Sequence, residues 1–153
     1  MSSITVRPAE EGHLDRMTEI EGRCFSVPWP KTLLQQEIVD ESSIVLCAFW
    51  DDTLAGFCSL TQIYDEGHVT NVAVDGKYRR RGVADALVTE LIRRARERGL
   101  LNLTLVVRVS IEAAIGLYEK HGFRGVGVRR KYYTDNNEDA LIMWRRESGE
   151  GER

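Results

Sequence analysis

The sequence predicts a single mixed α/β domain, on three observations. At 153 residues the chain is about one domain long and can bury about 68–70% of its unfolded surface without staples. Its apolar residues switch between alternating and helical spacing in the order β-α-α-β-β-β-α-β-α-β-β, giving about seven strands and about four helices. No repeat and no low-complexity linker divides it, so residues 1–146 read as one domain around a mixed central sheet. The remaining "ESGEGER", residues 147–153, is charged and apolar-poor and is expected to be a disordered tail.

"ITVRPA" alternates and meets Pro8, so it reads as a short strand ending at a turn. From Ala9 to Arg23, Leu14, Met17 and Ile20 recur at helical spacing, and "FSVPWP" then breaks that helix. A short second helix is expected to carry Leu33, Leu34, Ile38 and Val39 on one side. "SSIVLCAFW" and "TLAGFCSLTQIY" flank Asp51-Asp52 as a hairpin, and "GHVTNVAV" extends it to an antiparallel meander over residues 42–74. Val83, Leu87, Leu91, Ile92 and Ala95 make the stripe of a helix from Val83 to Arg98, which Gly99 stops. "LNLTLVVRV" follows as a strand, so residues around 68–108 read as a right-handed parallel crossover. The helix "EAAIGLYEKH" and the strands "RGVGVRRKYY" and "ALIMWRR" complete the order, with the polar "TDNNED" joining the last two strands.

Composition narrows the function classes. Charged residues make up 29%, hydrophobic ones 42%, and the net charge is −3, so no general pull toward nucleic acid or an anionic membrane is expected. Cys24, Cys47 and Cys58 lie in apolar stretches without metal spacing; they read as reduced, mostly buried thiols rather than nucleophiles. No metal is called for. The opening "MSSITVRPAEEGHL" has no basic-then-apolar leader and no run approaches 18 apolar residues, so a cytoplasmic protein is expected, with a monomer as the working state.

Three stretches could carry chemistry. In "NVAVDGKYRRRGVADALV" a strand leads through Arg79, Arg80, Arg81 and Gly82 into a helix with the small Ala84 in its first turn. Helix N-termini offer free N–H groups and a positive dipole end to anions. Taken alone, the stretch reads equally as a solvated basic turn or as a phosphate site. A strand leading into a helix that carries Tyr118 can set the phenol beside the strand end, although a half-buried structural tyrosine is the commoner case. In "RRKYYTDNNEDALIM", Tyr132 and Tyr133 should face opposite sides of a strand. Asp135, Glu138 and Asp139 are either a hairpin loop or an acidic rim for a cationic substrate. Trp29 of "VPWP" reads as packed loop, and His13 and His121 as surface residues at helix ends.

In combination these pieces resemble the GCN5-related N-acetyltransferase (GNAT) superfamily. Arg79 to Ala84 matches its Q/R-x-x-G-x-G/A signature after an "NVAV" strand. "HVTNVAV", "YRRRGVA", "VRVS", "AAIGLYEKHGF" and "RRKYYTDNNEDALIM" are similar to the bacterial ribosomal-protein alanine N-acetyltransferases, the RimI family, from about Ile4 to Met143. The resemblance implies a single-domain GNAT fold and acetyl-CoA as cosubstrate. It implies that Val72, Ala73 and Val74 lend backbone groups to the pantetheine and thioester, that Arg79, Arg80, Arg81, Gly82, Val83 and Ala84 hold the pyrophosphate, and that Tyr118 is the general acid. The implied acceptor is a protein N-terminus, that of a small-subunit ribosomal protein. Tyr132, Tyr133, Asp135, Glu138 and Asp139 are the expected substrate side. Another terminus, a small amine, or an acyl-CoA-binding protein without turnover are the alternatives.

Two positions depart from the family pattern. It reads leucine-glutamate-valine-arginine, with the glutamate as base, where this chain has Leu105-Val106-Val107-Arg108; its serine-asparagine, which touches CoA, is Ser110-Ile111 here. A positioned base contributes about 10²–10⁴-fold. An α-amine with a pKa of about 7.7–8.0 is already partly neutral at pH 7, so a chain lacking that base is expected to be slow on α-amines and worse on lysine. Glu66 and His68, at the start of the strand carrying the acetyl slot, are the substitute candidates. Loss of the asparagine should weaken CoA binding by about 1–2 kcal/mol.

Overall fold

Residues 2–147 of the chain are described by a computed structural model. The expected tail falls outside the described residues, apart from Glu147. The seven strands are β1 (Ile4–Pro8), β2 (Ser43–Trp50), β3 (Thr53–Ile63), β4 (Glu66–Val74), β5 (Asn102–Arg108), β6 (Arg124–Tyr133) and β7 (Glu138–Arg146). The helices are α1 (Leu14–Cys24), α2 (Lys31–Val39), α3 (Val83–Glu97) and α4 (Glu112–Lys120). The expected element order is borne out. The first helix begins later than its periodicity suggested, because Glu11–His13 forms a 3₁₀ turn ahead of it.

One sheet runs β1-β2-β3-β4-β5-β7-β6. β1 to β4 form the expected antiparallel meander. β5 pairs antiparallel with β7 along its whole length, from Asn102–Arg146 to Arg108–Ala140. The join between these halves is the parallel pair β4–β5, reached through α3, and it holds only three residue pairs: Glu66–Asn102, Gly67–Leu103 and His68–Thr104. Beyond them β4 carries a bulge at Thr70, where the register with β3 jumps from Leu60–Val69 to Ser59–Asn71. The two parallel strands therefore part, leaving a V open at their C-terminal ends, the usual ligand end of parallel strands.

Both faces of the sheet are covered. Leu87, Leu91, Leu103, Leu105, Phe123 and Met143 fill one side, under α3 and α4, and Met17, Ile20, Leu34, Cys47 and Phe57 fill the other, under α1 and α2. Every residue of the predicted α3 stripe is buried. α2 corrects its expectation: only Leu34 is buried and Ile38 partly so, whereas Leu33 and Val39 are exposed. At 3.6 residues per turn, Leu34 and Ile38 share one line and the other two stand well to either side. Burial pushes the Cys47 thiol up to about 12 and raises that of Cys58 further, which suits core residues and not nucleophiles.

α3 and α4 stop in the same way. After α3, Leu100 N–H donates to Ala95 C=O and Gly99 N–H to Arg96 C=O. After α4, Phe123 N–H donates to Tyr118 C=O and Gly122 N–H to Glu119 C=O. Each is a paired Schellman termination. Gly122 sits at φ +93°, a conformation that costs a side-chain-bearing residue about 1–2 kcal/mol. The turn it permits drops the fully buried Phe123 edge-on against Tyr118, ring centroids 5.7 Å apart. Tyr118 is held in place by that stop.

Candidate active site at the parted strands

The open arm of the V on β4 is Val72, Ala73 and Val74. Val72 and Val74 pack toward α3, and Ala73 is buried toward α1. The arm is anchored from both ends. Asn71 donates to the buried Glu21 of α1 at 2.6 Å, and Glu21 also accepts from Trp29 N–H at 3.0 Å, fixing the packed loop expected at "VPWP". Asp75 accepts from Arg16 at 2.7 Å and Arg23 at 3.2 Å. Burial opposes the Asp75 charge, but the arginines and the Lys77 N–H hold its carboxyl below the usual range.

Arg79 to Ala84 follow directly. Gly82 caps α3 at φ +86°, and Arg80 is also left-handed at φ +63°. The first helical bond runs from Ala86 N–H to Gly82 C=O, so the N–H groups of Val83, Ala84 and Asp85 are left over by helix geometry. Arg79, Arg80, Arg81 and Gly82 are exposed around them, with the Arg81 guanidinium over the Trp50 ring at 5.3 Å. Unpaired N–H groups at the head of a 15-residue helix, with Arg79, Arg80 and Arg81 exposed before it, could hold an anion.

On the facing wall, Val106 points out of β5 and is 37% exposed, and Ile111, the N-cap residue of α4, is 44% exposed. Neither is a core residue. Tyr118 is 9% exposed on the α3 side of the sheet, and burial raises its phenol well above the usual value, so it stays protonated. Glu66 and His68 sit at the closed end of the V, paired to each other at 3.3 Å, with His68 edge-on to Trp144.

The residues expected on the substrate side are clamped together. The Arg108 guanidinium lies 4.0 Å over the Tyr133 ring and donates to Asp135 at 2.9 Å and Glu138 at 3.3 Å. Glu138 also accepts from Ser110 N–H at 2.8 Å, and the Ser110 contacts, with Arg108, pull its carboxyl down to about 2. Asp139 accepts from Lys131 N–H at 2.8 Å. Each carboxylate of the suggested rim thus already has a donor from this chain. Asp135 also accepts from Ser26, which ties the β6–β7 turn to the α1–α2 loop at 2.6 Å. The tyrosines differ from expectation: β6 is irregular between Arg129 and Tyr133, with Lys131 at φ +50°, and the two rings meet edge-to-face at 5.0 Å.

The histidines are another correction. His121 is bonded to Asp85 at 2.8 Å with its side chain 14% exposed, and His13 is half-buried, accepting from Glu10 N–H and packing on Phe49. Sequence reasoning also missed Glu37. Its carboxyl accepts from Thr61 at 3.2 Å and Thr70 at 3.3 Å, beneath α2. The available signal was an acidic residue between Leu34 and Ile38, inside the apolar arc of a short helix.

Residues 14–123 match the model of the acetyltransferase (GNAT) family. The chain is 37% identical over 142 residues to the ribosomal protein bS18-alanine N-acetyltransferase of Escherichia coli strain K12, covering 91% of this chain and 95% of that one. It is 31% identical over 153 residues to the N-alpha-acetyltransferase RimI of Mycobacterium tuberculosis, covering 96% and 94%. Among solved structures, the ribosomal-protein-S18-alanine N-acetyltransferase from E. coli superposes with a TM-score of 0.88 at 34% identity over 97% of this chain and 98% of that one. A PaiA N-acetyltransferase from Thermoplasma acidophilum in complex with coenzyme A shares the fold at 21% identity, TM-score 0.79, over 95% and 99% of the two chains.

Proposed function

Since the chain belongs to the GNAT acetyltransferase family, we propose that it transfers acetyl from acetyl-CoA to a protein N-terminal α-amine, that of an alanine in a small-subunit ribosomal protein. The observation that carries this is the likeness over nearly the whole chain to the E. coli alanine N-acetyltransferase, in sequence and in fold. The thioester supplies the activated acetyl group; the residues of this chain bind and orient it. Pyrophosphate fits the N–H groups at the head of α3, with Arg79, Arg80 and Arg81 as charge-assisted donors. The pantetheine fits along Val72, Ala73 and Val74, where β5 has turned away and leaves that edge of β4 unpaired.

The amine attacks in a ternary complex. Tyr118, kept protonated by burial, gives its proton to the departing thiolate. Val106 offers no base, so amine deprotonation falls to a group elsewhere around the slot; Glu66 and His68, paired on β4, are the candidates the sequence named. Tyr132 and Tyr133 line the acceptor side. The Arg108 clamp sets the shape of that side, with Asp135, Glu138 and Asp139 as its acidic edge.

The test is CoA release from acetyl-CoA with a peptide beginning Ala-Arg, against the same peptide already N-acetylated. Turnover only with the free amine is the expected result. Silence with every N-terminal peptide, alongside tight acetyl-CoA binding, would favour the second reading, a binding protein without turnover. That reading draws its support from the apolar Val106.

A further inference from the structure

We propose that Glu37, on α2, is the proton acceptor for the incoming α-amine, replacing from the β4 side what Val106 does not supply from β5. The inference rests on the acetyltransferase reading above and adds to it a residue that none of the motifs quoted for that reading contains.

The strand register places the carboxyl. Thr61 pairs with His68, and His68 with Thr104, so all three share one face of the sheet. Val106, two residues beyond Thr104, points from that same face. Glu37 Oε2 accepts from Thr61 Oγ1 and Thr70 Oγ1, so it lies over the face that Val106 shares, on the opposite arm of the V. Thr70 is the bulge residue, two positions from Val72 at the acetyl slot, and its hydroxyl also lies 2.7 Å from Ser59 Oγ.

The other oxygen carries the argument further. Glu37 Oε1 is buried and, among the described residues, is the one buried side-chain oxygen or nitrogen without a hydrogen-bond partner. A buried carboxylate oxygen lacking a donor is costly. No donor of this chain claims that oxygen, so an amine N–H that reaches it beneath α2 meets a free acceptor. Burial raises the carboxyl above its ordinary value despite the three hydroxyls around it, which brings it closer to what a general base needs near neutrality. The titratable groups turned to this face from the surrounding elements are Glu21 of α1, Cys47 of β2, and Glu66 and His68 of β4, with Asp40 at the end of α2 itself.

The protons balance. The α-ammonium passes one proton to Glu37, freeing the nitrogen lone pair. As the C–N bond forms and the C–S bond breaks, Tyr118 protonates sulfur. The second proton leaving nitrogen restores the Tyr118 phenol.

The experiment follows kcat and both KM values across pH 5.5 to 9.5 for the chain, Glu37→Gln, His68→Gln and the double variant Glu37→Gln/Val106→Glu. Expected for Glu37→Gln is a kcat lower by about 100-fold or more, loss of the acid limb of the kcat profile, and KM for acetyl-CoA within twofold. Val106→Glu should restore turnover in that background, which a merely structural role for Glu37 would not allow. A Glu37→Gln enzyme with kcat within threefold and an unmoved acid limb overturns the proposal. So does a loss that Val106→Glu fails to restore, or an acid limb that only His68→Gln removes. Silence of the unaltered chain toward every N-terminal peptide fells the acceptor reading and Glu37's role with it.

Discussion

Val106 and Tyr118 lie on opposite sides of the sheet, and each allows a single-residue test of its proposed part in the transfer. Val106 is open to solvent, so a glutamate fits there without repacking. Val106→Glu should raise kcat on an Ala-Arg peptide, by up to about 10²-fold, measured as CoA release. No gain would mean that deprotonation does not limit the chain as it stands. Tyr118→Phe keeps the edge-on contact with Phe123 and removes only the hydroxyl. It should lower kcat by about 10²-fold or more and leave the melting temperature and acetyl-CoA affinity nearly unchanged. If kcat holds, the acid lies elsewhere.

At the scale of elements, periodicity revealed most of the fold, whereas the candidate slot was legible only through the family resemblance. The α3 stripe and both glycine stops are local patterns, and the meander joins strands that follow one another directly in the chain. The Arg108 clamp and the Glu37 contacts are not local, because Arg108 meets Asp135 across 27 positions and Glu37 meets Thr70 across 33. For the same reason the acidic cluster gave no sign that this chain's own arginine occupies it, and the irregular turn of β6 that joins Tyr132 to Tyr133 had no spacing signature. Two glycines allow tests at this scale. Gly82→Glu puts a side chain and a negative charge at a left-handed cap among arginines; acetyl-CoA binding by calorimetry should vanish, and unchanged affinity would remove the pyrophosphate assignment. Gly122→Ala forces a Cβ to 3.3 Å from Arg145 Nε at φ +93°. The expected cost is about 1–2 kcal/mol, a fall in melting temperature of about 2–8 °C for a chain this size.

Across the whole molecule, charge pairs pin loops that the sheet does not. Asp75 holds the end of β4 to α1, Asp85 meets His121 and Lys120, and Glu138 and Asp135 close the β6–β7 turn onto β5. All four carboxyls ionise more readily in the folded chain than usual, Glu138 at about 2. A depressed folded value gives stability that is complete above the ordinary carboxyl range and lost as pH falls through the folded value. Melting temperature should therefore drop between about pH 4.5 and pH 2, and Glu138→Gln should melt lower at pH 7 with a shallower acid slope. A parallel slope would detach that residue from the effect. The three-pair join has a mechanical consequence as well. The β2–β3 turn at Asp52 and the β6–β7 turn at Asn137 both lie at the open end of the V. Pulled apart at those two points, the molecule is a wishbone whose arm on β4 extends about 20 Å beyond His68 at strand rise. All the tension concentrates on His68–Thr104, then on the two pairs behind it, while the longer joins on either side carry load along many rungs. A ligand laid across both arms acts as a strut, so acetyl-CoA should raise the force of the first rupture and leave the later ones where they were.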